Sequence, residues 1–158
     1  MINYDDDPLI IVQNKRTMTL PPIPANQCID APEISFGDTA FDTTGSADIL
    51  DLTGLCDLGQ YGDDKIHNVI YYRFMPTSDA LYVFSTCNQA TYDTRLAILS
   101  GCNPSDVIAC RDDTAGCTNY TTILGAPLTS GEEVILAIGG FSTGDLGTGT
   151  LSISISEP

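Results

Sequence analysis

The stretch TCNQATYDTRLAILSGCNPSDVIACRDDTAGC, residues 86–117, decides the fold of this chain. Its two strand-like runs, residues 92–98 and 109–113, are separated by turn-forming Ser, Gly, Asn and Pro residues. Four cysteines frame these runs: Cys87, Cys102, Cys110 and Cys117. Short strands with cysteines at their turns are typical of a small, secreted, disulfide-stapled β-sandwich, and they do not indicate an enzyme.

All six cysteines are expected to form disulfides, the other two being Cys28 and Cys56. None has the Cys-x-x-Cys spacing of a structural zinc site, and disulfides imply an oxidising compartment. Sequence alone leaves the connectivity open. The pairing that we predict is Cys28 with Cys56, Cys87 with Cys117 and Cys102 with Cys110, and the alternative joins Cys87 to Cys102 and Cys110 to Cys117.

Composition excludes two classes of partner. The chain has 21 acidic and 6 basic residues, which give a net charge of −15. Such a charge repels nucleic-acid phosphates and anionic membrane surfaces. Because no apolar run approaches the roughly 20 residues that cross a bilayer, membrane insertion is not expected either.

Alternation of apolar and polar residues predicts an all-β protein from residue 66 onward, with no helical periodicity. In the last strand Leu151, Ile153 and Ile155 share one face, and serines take the other. Eight or nine short antiparallel strands at this spacing predict a sandwich or jelly roll. The expected strands are residues 34–36, 39–42, 68–74, 81–86, 94–99, 107–111, 118–124, 133–139 and 150–156.

The first 25 residues differ from the rest and are interpreted as an extended N-terminal arm or linker. Acidic Asp5-Asp6-Asp7 precedes an apolar arm segment, defined as Leu9, Ile10, Ile11 and Val12. The following LPPIP (20–24) favours an extended chain. The apolar arm segment is expected to pair as a strand with a sheet edge, either of its own molecule or of a neighbour. These residues lack the features of a secretory signal peptide, so a mature or excised chain is expected.

The order and spacing of several motifs resemble the bacterial pre-peptidase C-terminal domain. Downstream these motifs are STCN (85–88), YDTRLAI (92–98), SGC (100–102), ACRDD (109–113), IGGF (138–141) and GTGTL (147–151). Upstream they are NQCIDA (26–31), FDTTG (41–45) and VIYYRF (69–74). The resemblance spans residues 26–155, and the domain is predicted to occupy residues 26–158.

This resemblance implies a jelly-roll β-sandwich similar to the collagen-binding domains of bacterial collagenases. Such domains are not catalytic, and they accompany secreted enzymes or repeat in surface proteins. An extracellular or cell-surface location in a bacterium follows as an expectation. The sequence departs from the family in having Arg111 where an Asn usually precedes the paired aspartates, and it has no attached catalytic domain.

No catalytic constellation is present in the sequence. The single histidine, His67, stands at the entry to a predicted strand and is interpreted as a structural polar residue. There is no Gly-x-Ser-x-Gly, His-Glu-x-x-His or phosphate-cradling loop. The chain is therefore not expected to be an enzyme.

Calcium is the cofactor that the loop ends suit best, because it prefers six to eight oxygen ligands. The expected ligands are Asn88, Asp93, Asp112 and Asp113, although aspartates in tight loops also cap turns. A weaker signal is Asn119, which opens an N-glycosylation tripeptide. The tyrosines, with Phe141, are mostly expected in the core or at its rim.

The sequence as a whole predicts a non-catalytic extracellular module with a structural or adhesive role. In its sharper form, the apolar arm segment adds to the sheet edge of the next copy and forms a filament or surface layer. The alternative is an accessory domain of a larger secreted hydrolase that binds an extracellular protein or polysaccharide, with calcium ordering its loops.

Overall fold

The computed structural model describes residues 27–59 and 62–156, which form ten β-strands and three short 3-10 turns. The N-terminal arm, with its apolar segment, lies outside the described residues. The strands are β1 Glu33–Ile34, β2 Gly37–Asp42, β3 Ile49–Asp51, β4 Lys65–Phe74, β5 Ala80–Ser85, β6 Thr94–Leu99, β7 Val107–Arg111, β8 Ile123–Leu128, β9 Val134–Gly140 and β10 Thr148–Ile155.

Two sheets stack as a sandwich, which confirms the predicted all-β class. The larger sheet has the order β1-β4-β9-β6-β7, and β3 also pairs with β4. The smaller sheet has the order β2-β10-β5-β8. All pairings are antiparallel except the short one between β1 and β4.

The first core lies between the sheets and has the alternation that the sequence predicted. Leu151 and Ile153 of β10 pack here beside Phe84 and Leu136, each at most 2 % exposed. Phe74 meets the rings of Tyr82 and Phe84 edge-on, at centroid distances of 5.5 and 5.8 Å. Edge-to-face packing of this kind stabilises an aromatic cluster beyond its buried area.

A second core, absent from the sequence prediction, covers the outer face of the larger sheet. Leu50, Leu52 and Leu58 of the loop-rich segment 28–58 pack on Ile66, Tyr71, Ala97 and Ala137 of that face. Strands β6 and β9 are consequently buried along their whole length. Burial on both faces explains why β9 and residues 96–99 of β6 are continuously apolar at positions where alternation would expose one face to water.

The disulfides attach this segment to the sheet, and two predicted pairings are wrong. Cys28 pairs with Cys102, Cys56 pairs with Cys110, and Cys87 pairs with Cys117 as expected. The alternative pairing is wrong as well. Because the segment 28–58 folds across the outer face of the larger sheet, Cys28 and Cys56 meet cysteines that flank β7 or belong to it, and they do not meet each other.

The structure differs from the predicted strands at two places, for two different reasons. Residues 118–124 do not form one strand, because Asn119 and Tyr120 have φ values of 55° and 57°. This left-handed backbone forms a 3-10 turn, Thr118–Tyr120, and β8 begins only at Ile123. The short β3 at the edge of the larger sheet was not predicted, since three residues carry too little periodicity.

Candidate functional site

Three aspartates meet at one end of the larger sheet. Asp93 directly precedes β6, and Asp112 and Asp113 directly follow β7. The antiparallel register pairs Leu96 with Arg111, which brings the start of β6 beside the end of β7. One carboxylate oxygen from each of Asp93, Asp112 and Asp113 lies within 4.8 Å of the others. The structure thus brings together three of the four residues predicted as calcium ligands, and they are called the acidic cluster below.

Ionisation of two carboxyl groups in the acidic cluster is unfavourable, as their raised pKa values indicate. Burial, together with the neighbouring carboxylates of Asp112 and Asp113, raises the pKa of Asp93 to about 8. Burial also raises the pKa of Asp112 to about 6, although its hydrogen bond from Arg95 works in the opposite direction. Oδ1 of Asp93 and Oδ1 of Asp112 are buried without a hydrogen-bond partner among the described residues. The cluster therefore favours a bound proton or a cation at neutral pH.

Arg95 neutralises part of this charge from inside the sheet. Its side chain is 0 % exposed, and it donates from Nη2 to Asp112 Oδ2 at 3.1 Å. Its Nη1 donates to the carbonyl oxygens of Asp63 and Lys65 at 2.8 and 2.6 Å. The guanidinium also lies 4.7 Å from the ring centroid of Phe141, a cation–π contact.

Asp63 links Arg95 to the only histidine. One carboxylate oxygen accepts from Arg95 Nη1 at 3.2 Å, and the other is 2.9 Å from Nε2 of His67. Burial opposes ionisation of Asp63, but its hydrogen bonds from His67 and from the Lys65 amide leave its pKa below the ordinary value. His67 is thus held by a hydrogen bond with Asp63, consistent with its interpretation as a structural polar residue.

A β-bulge in β4 fixes the loop that flanks the acidic cluster. Asn68 has a φ of 53°, and the register between β4 and β9 shifts at this point. Its Nδ2 donates to the carbonyl oxygens of Thr143 and Asp145 at 3.1 and 3.2 Å. Asp145 is thereby held close enough to contribute to the raised pKa of Asp93.

The acidic cluster opens onto solvent through a groove. The groove has a volume of about 500 Å³ and is lined by Asp57, Leu58, Gly59, Cys110, Arg111, Asp112 and Asp113. The disulfide between Cys56 and Cys110 holds its two walls together. A small ion therefore has access to Asp112 and Asp113 without any rearrangement of the sheets.

Two predicted site residues, Asn88 and Asn119, form side-chain hydrogen bonds to the backbone of other loops. Asn88 was expected on the cation, but its Oδ1 accepts the Thr118 N–H at 2.7 Å, across the turn that the Cys87–Cys117 bridge closes. Asn119 uses its Nδ2, the atom that a glycan would occupy, to donate to the Ala90 carbonyl at 3.0 Å. Glycosylation at Asn119 remains a prediction, and it would require this bond to break.

The aromatic residues are mostly internal. Tyr71, Tyr72, Tyr82 and Tyr92 are buried, whereas Tyr120 is 67 % exposed. Tyr61 lies outside the described residues. The buried tyrosines support the cores and do not form a flat platform for a polymer.

Sequence reasoning missed Arg95 and Asp63 as members of the site. The signal was present, because Arg95 is the single charged residue in the otherwise apolar and buried strand TRLAIL (94–99). A charge in such a strand is buried, and a buried charge requires a partner. Nothing in the sequence identifies Asp63 as that partner, since it lies 32 residues away and reaches Arg95 only through the fold.

No protein-family model and no curated protein sequence matches this chain. Among solved structures, the chain is similar to the pre-peptidase C-terminal domain of a collagenase from Bacillus anthracis. The two share 15 % sequence identity with a TM-score of 0.47, over 78 % of this chain and 94 % of that one. This is the family that the sequence motifs resemble, and the likeness concerns the fold alone.

Proposed function

We propose that this protein is a non-catalytic, extracellular structural or adhesive module. Its three disulfides suit an oxidising compartment. No helix of the described residues is long and apolar enough to cross a membrane. His67 is held by Asp63, and the carboxylates nearest to Arg95 are held by its guanidinium. These contacts of His67, Asp63, Arg95 and Asp112 stabilise the fold.

In the sharper form of the proposal, the protein assembles into a filament or surface layer through its apolar arm segment. One observation carries it: the arm has four consecutive apolar residues, Leu9 to Val12, and the two sheets of the described residues have open edges. Among the described residues, strands β1, β2, β7 and β8 end the sheets and offer edges to an added strand. Strand addition to such an edge in a second copy is a known mode of assembly.

Removing the arm tests this proposal. We expect a protein that begins at Gln27 to be a folded monomer, while the full chain forms large ordered assemblies, because only the full chain retains the added strand. Light scattering and electron microscopy of the same samples give the readout. The matched control replaces Ile10 and Val12 with aspartate in the full chain, and it should abolish assembly as completely as the deletion. Assemblies that persist without residues 1–26 would contradict the proposal.

A second candidate function is calcium-dependent binding of an extracellular protein or polysaccharide, as in an accessory domain of a hydrolase. The observation that favours it is the pair of buried, unpartnered oxygens, Oδ1 of Asp93 and Oδ1 of Asp112. Three carboxylates provide part of the six to eight oxygens that calcium prefers, and water or main-chain oxygens complete the set. Arg95 opposes this use, because its positive charge already contacts Asp112.

Calcium binding should depend on pH if the acidic cluster holds the ion. Asp93 and Asp112 must lose their protons to act as ligands, so calcium affinity should rise through their pKa values of about 8 and about 6, respectively. We expect calorimetric titration with calcium to show at least about tenfold tighter binding at pH 9 than at pH 6, since one proton must leave per pKa crossed. The double substitution D93N/D113N should remove this binding, whereas D30N, on an exposed turn, should not. Equal affinity at both pH values would exclude the acidic cluster as the site.

A further inference from the structure

A second groove lies at the side of the sandwich where the edge strands β7 and β8 face each other. Its volume is about 300 Å³. The apolar wall consists of Ile108, Pro127, Leu128 and Val134, and the polar rim consists of Ser100, Thr129, Glu132 and Glu133. Ile108 is 48 % exposed although it belongs to a strand of the larger sheet. The groove thus presents apolar surface between the ends of two sheets.

The main chain beside this groove is available for strand pairing. Within the part of the chain that the structure describes, β7 pairs only with β6 and β8 only with β5, so each has one outer side there. Pro127 lacks an N–H group and weakens β8 as an acceptor of a new strand. Strand β7 contains no proline and is therefore the better edge. An added strand here would pair with the outer side of β7.

The apolar arm segment has the pattern that such a groove requires. In an extended strand Leu9 and Ile11 point to one side, and Ile10 and Val12 point to the other. Both sides are apolar, so both need cover, as in a strand that is buried on two faces. Beside β7, the apolar wall of the groove would cover one of these sides.

Charge is complementary as well. Lys15 and Arg16 follow the apolar arm segment directly and are two of the six basic residues of the chain. The rim of the groove carries Glu132, which is exposed, and Glu133, which pairs with Arg73 at 3.0 Å. Opposite charges at a rim chiefly steer association and fix its register.

The point where the arm joins the fold also favours this groove. Gln27 is followed by Cys28, whose disulfide to Cys102 brings the two Cα atoms within 5.9 Å. Cys102 is two residues from Ser100 on the groove rim. The 14 residues from Gln13 to Asn26 span at most about 45–50 Å when extended. The apolar arm segment can therefore reach this groove in a neighbouring copy that packs against the same side.

We propose that the groove between β7 and β8 is the receptor for the apolar arm segment, which adds to β7 as a strand. This inference rests on the proposed function, because it takes the arm as the binding element and names the surface that accepts it. The donor is the arm of another copy.

Photo-crosslinking of the full chain tests the receptor. A photoreactive phenylalanine analogue is placed at Ile10 in one variant and at Ile11 in another, so that each side of the strand is sampled. After irradiation, mass spectrometry of the digested protein should identify crosslinks to the segments that line the groove, residues 100–108 and 127–134. A mixture of ¹⁴N- and ¹⁵N-labelled protein shows whether each crosslink joins two copies.

A matched pair of substitutions sharpens the result. I108D introduces a charge into the groove and should reduce these crosslinks at least about tenfold. I49D changes an isoleucine of similar exposure, 51 % against 48 %, on a different edge strand and should leave them unchanged. The charge reversal K15E/R16E should weaken crosslinking, and E132K in the same chain should restore part of it.

The outcomes separate the receptor from the assembly. Crosslinks to the groove between differently labelled copies support both proposals. Groove crosslinks confined to single copies would support the groove as the receptor. They would contradict donation of the arm by another copy, and therefore assembly through the arm. Crosslinks from both positions to another surface, or none to the groove, would overturn the receptor, while loss of assembly on arm deletion would still stand by itself.

Discussion

Replacement of Arg95 by methionine is expected to lower the free energy of unfolding by about 3–5 kcal/mol, the usual effect of removing one partner of a buried ion pair. The side chain is 0 % exposed and contacts Asp63, Lys65 and Asp112. Without the guanidinium, the carboxylates of Asp63 and Asp112 lose their positive partner, and the Phe141 ring loses its cation. Methionine fills a similar volume, so the effect isolates the charge.

Chemical denaturation with the disulfides intact measures this change. The control is R111M, which removes an exposed arginine of the neighbouring strand and should change stability by no more than about 0.5 kcal/mol. Adding D112N to R95M should recover part of the loss, because one of the uncompensated charges is then absent. If R95M costs less than about 1 kcal/mol, the buried charge network is not a principal support of this end of the sheet.

Removal of either long-range disulfide is expected to have an effect of similar size. The bridges Cys28–Cys102 and Cys56–Cys110 span 74 and 54 residues. For loops of this length, restriction of the unfolded chain corresponds to about 4 kcal/mol for each bridge. Their loss also releases the segment 28–58 that covers the second core, so Leu52 and Ile66 would meet water. The double substitutions C28S/C102S and C56S/C110S test this expectation.

Urea denaturation and amide hydrogen exchange give complementary readouts for these variants. Exchange should accelerate first in residues 49–58, while β5, β8 and β10 of the smaller sheet stay protected, because the first core takes only Phe41 and Ile34 from the segment 28–58. The comparison is C87S/C117S, whose bridge spans 30 residues and should cost somewhat less and leave residues 28–58 protected. Peptide mapping of the unreduced protein that found Cys28 bonded to Cys56 would contradict the fold of this segment.

Parts of the acidic cluster were predictable from local pattern. Asp93 ends a turn before β6, and Asp112 and Asp113 begin the turn after β7, so pairing of two neighbouring strands brings them together. Asn88 was the exception, because its side chain caps the Thr118 turn at 2.7 Å. This partner lies 30 residues away. The sequence does not show which of several possible backbone groups the side chain of a polar loop residue will bind.

Long-range partners were not predictable in this way. Asp63 reaches Arg95 from 32 residues away, and Asn68 reaches the loop at Thr143 through a bulge. Both contacts depend on how β4 lies across β9, with a register shift near Ile138. A shift of one residue reverses which side chains point to each face, and the alternation of single strands does not reveal it.

The sequence by itself determined that this is an all-β, disulfide-bonded, strongly acidic protein, because alternation, turn residues, cysteine count and charge are local or additive properties. It also determined the inward face of β10, where Leu151 and Ile153 alternate with polar residues. Only the tertiary structure decided that segment 28–58 forms a second core, that Cys28 and Cys56 bond to Cys102 and Cys110, and that Arg95 is buried among carboxylates. Those features arise where distant parts of the chain meet, and their energies come from burial and charge pairing that exist only once both sheets have formed.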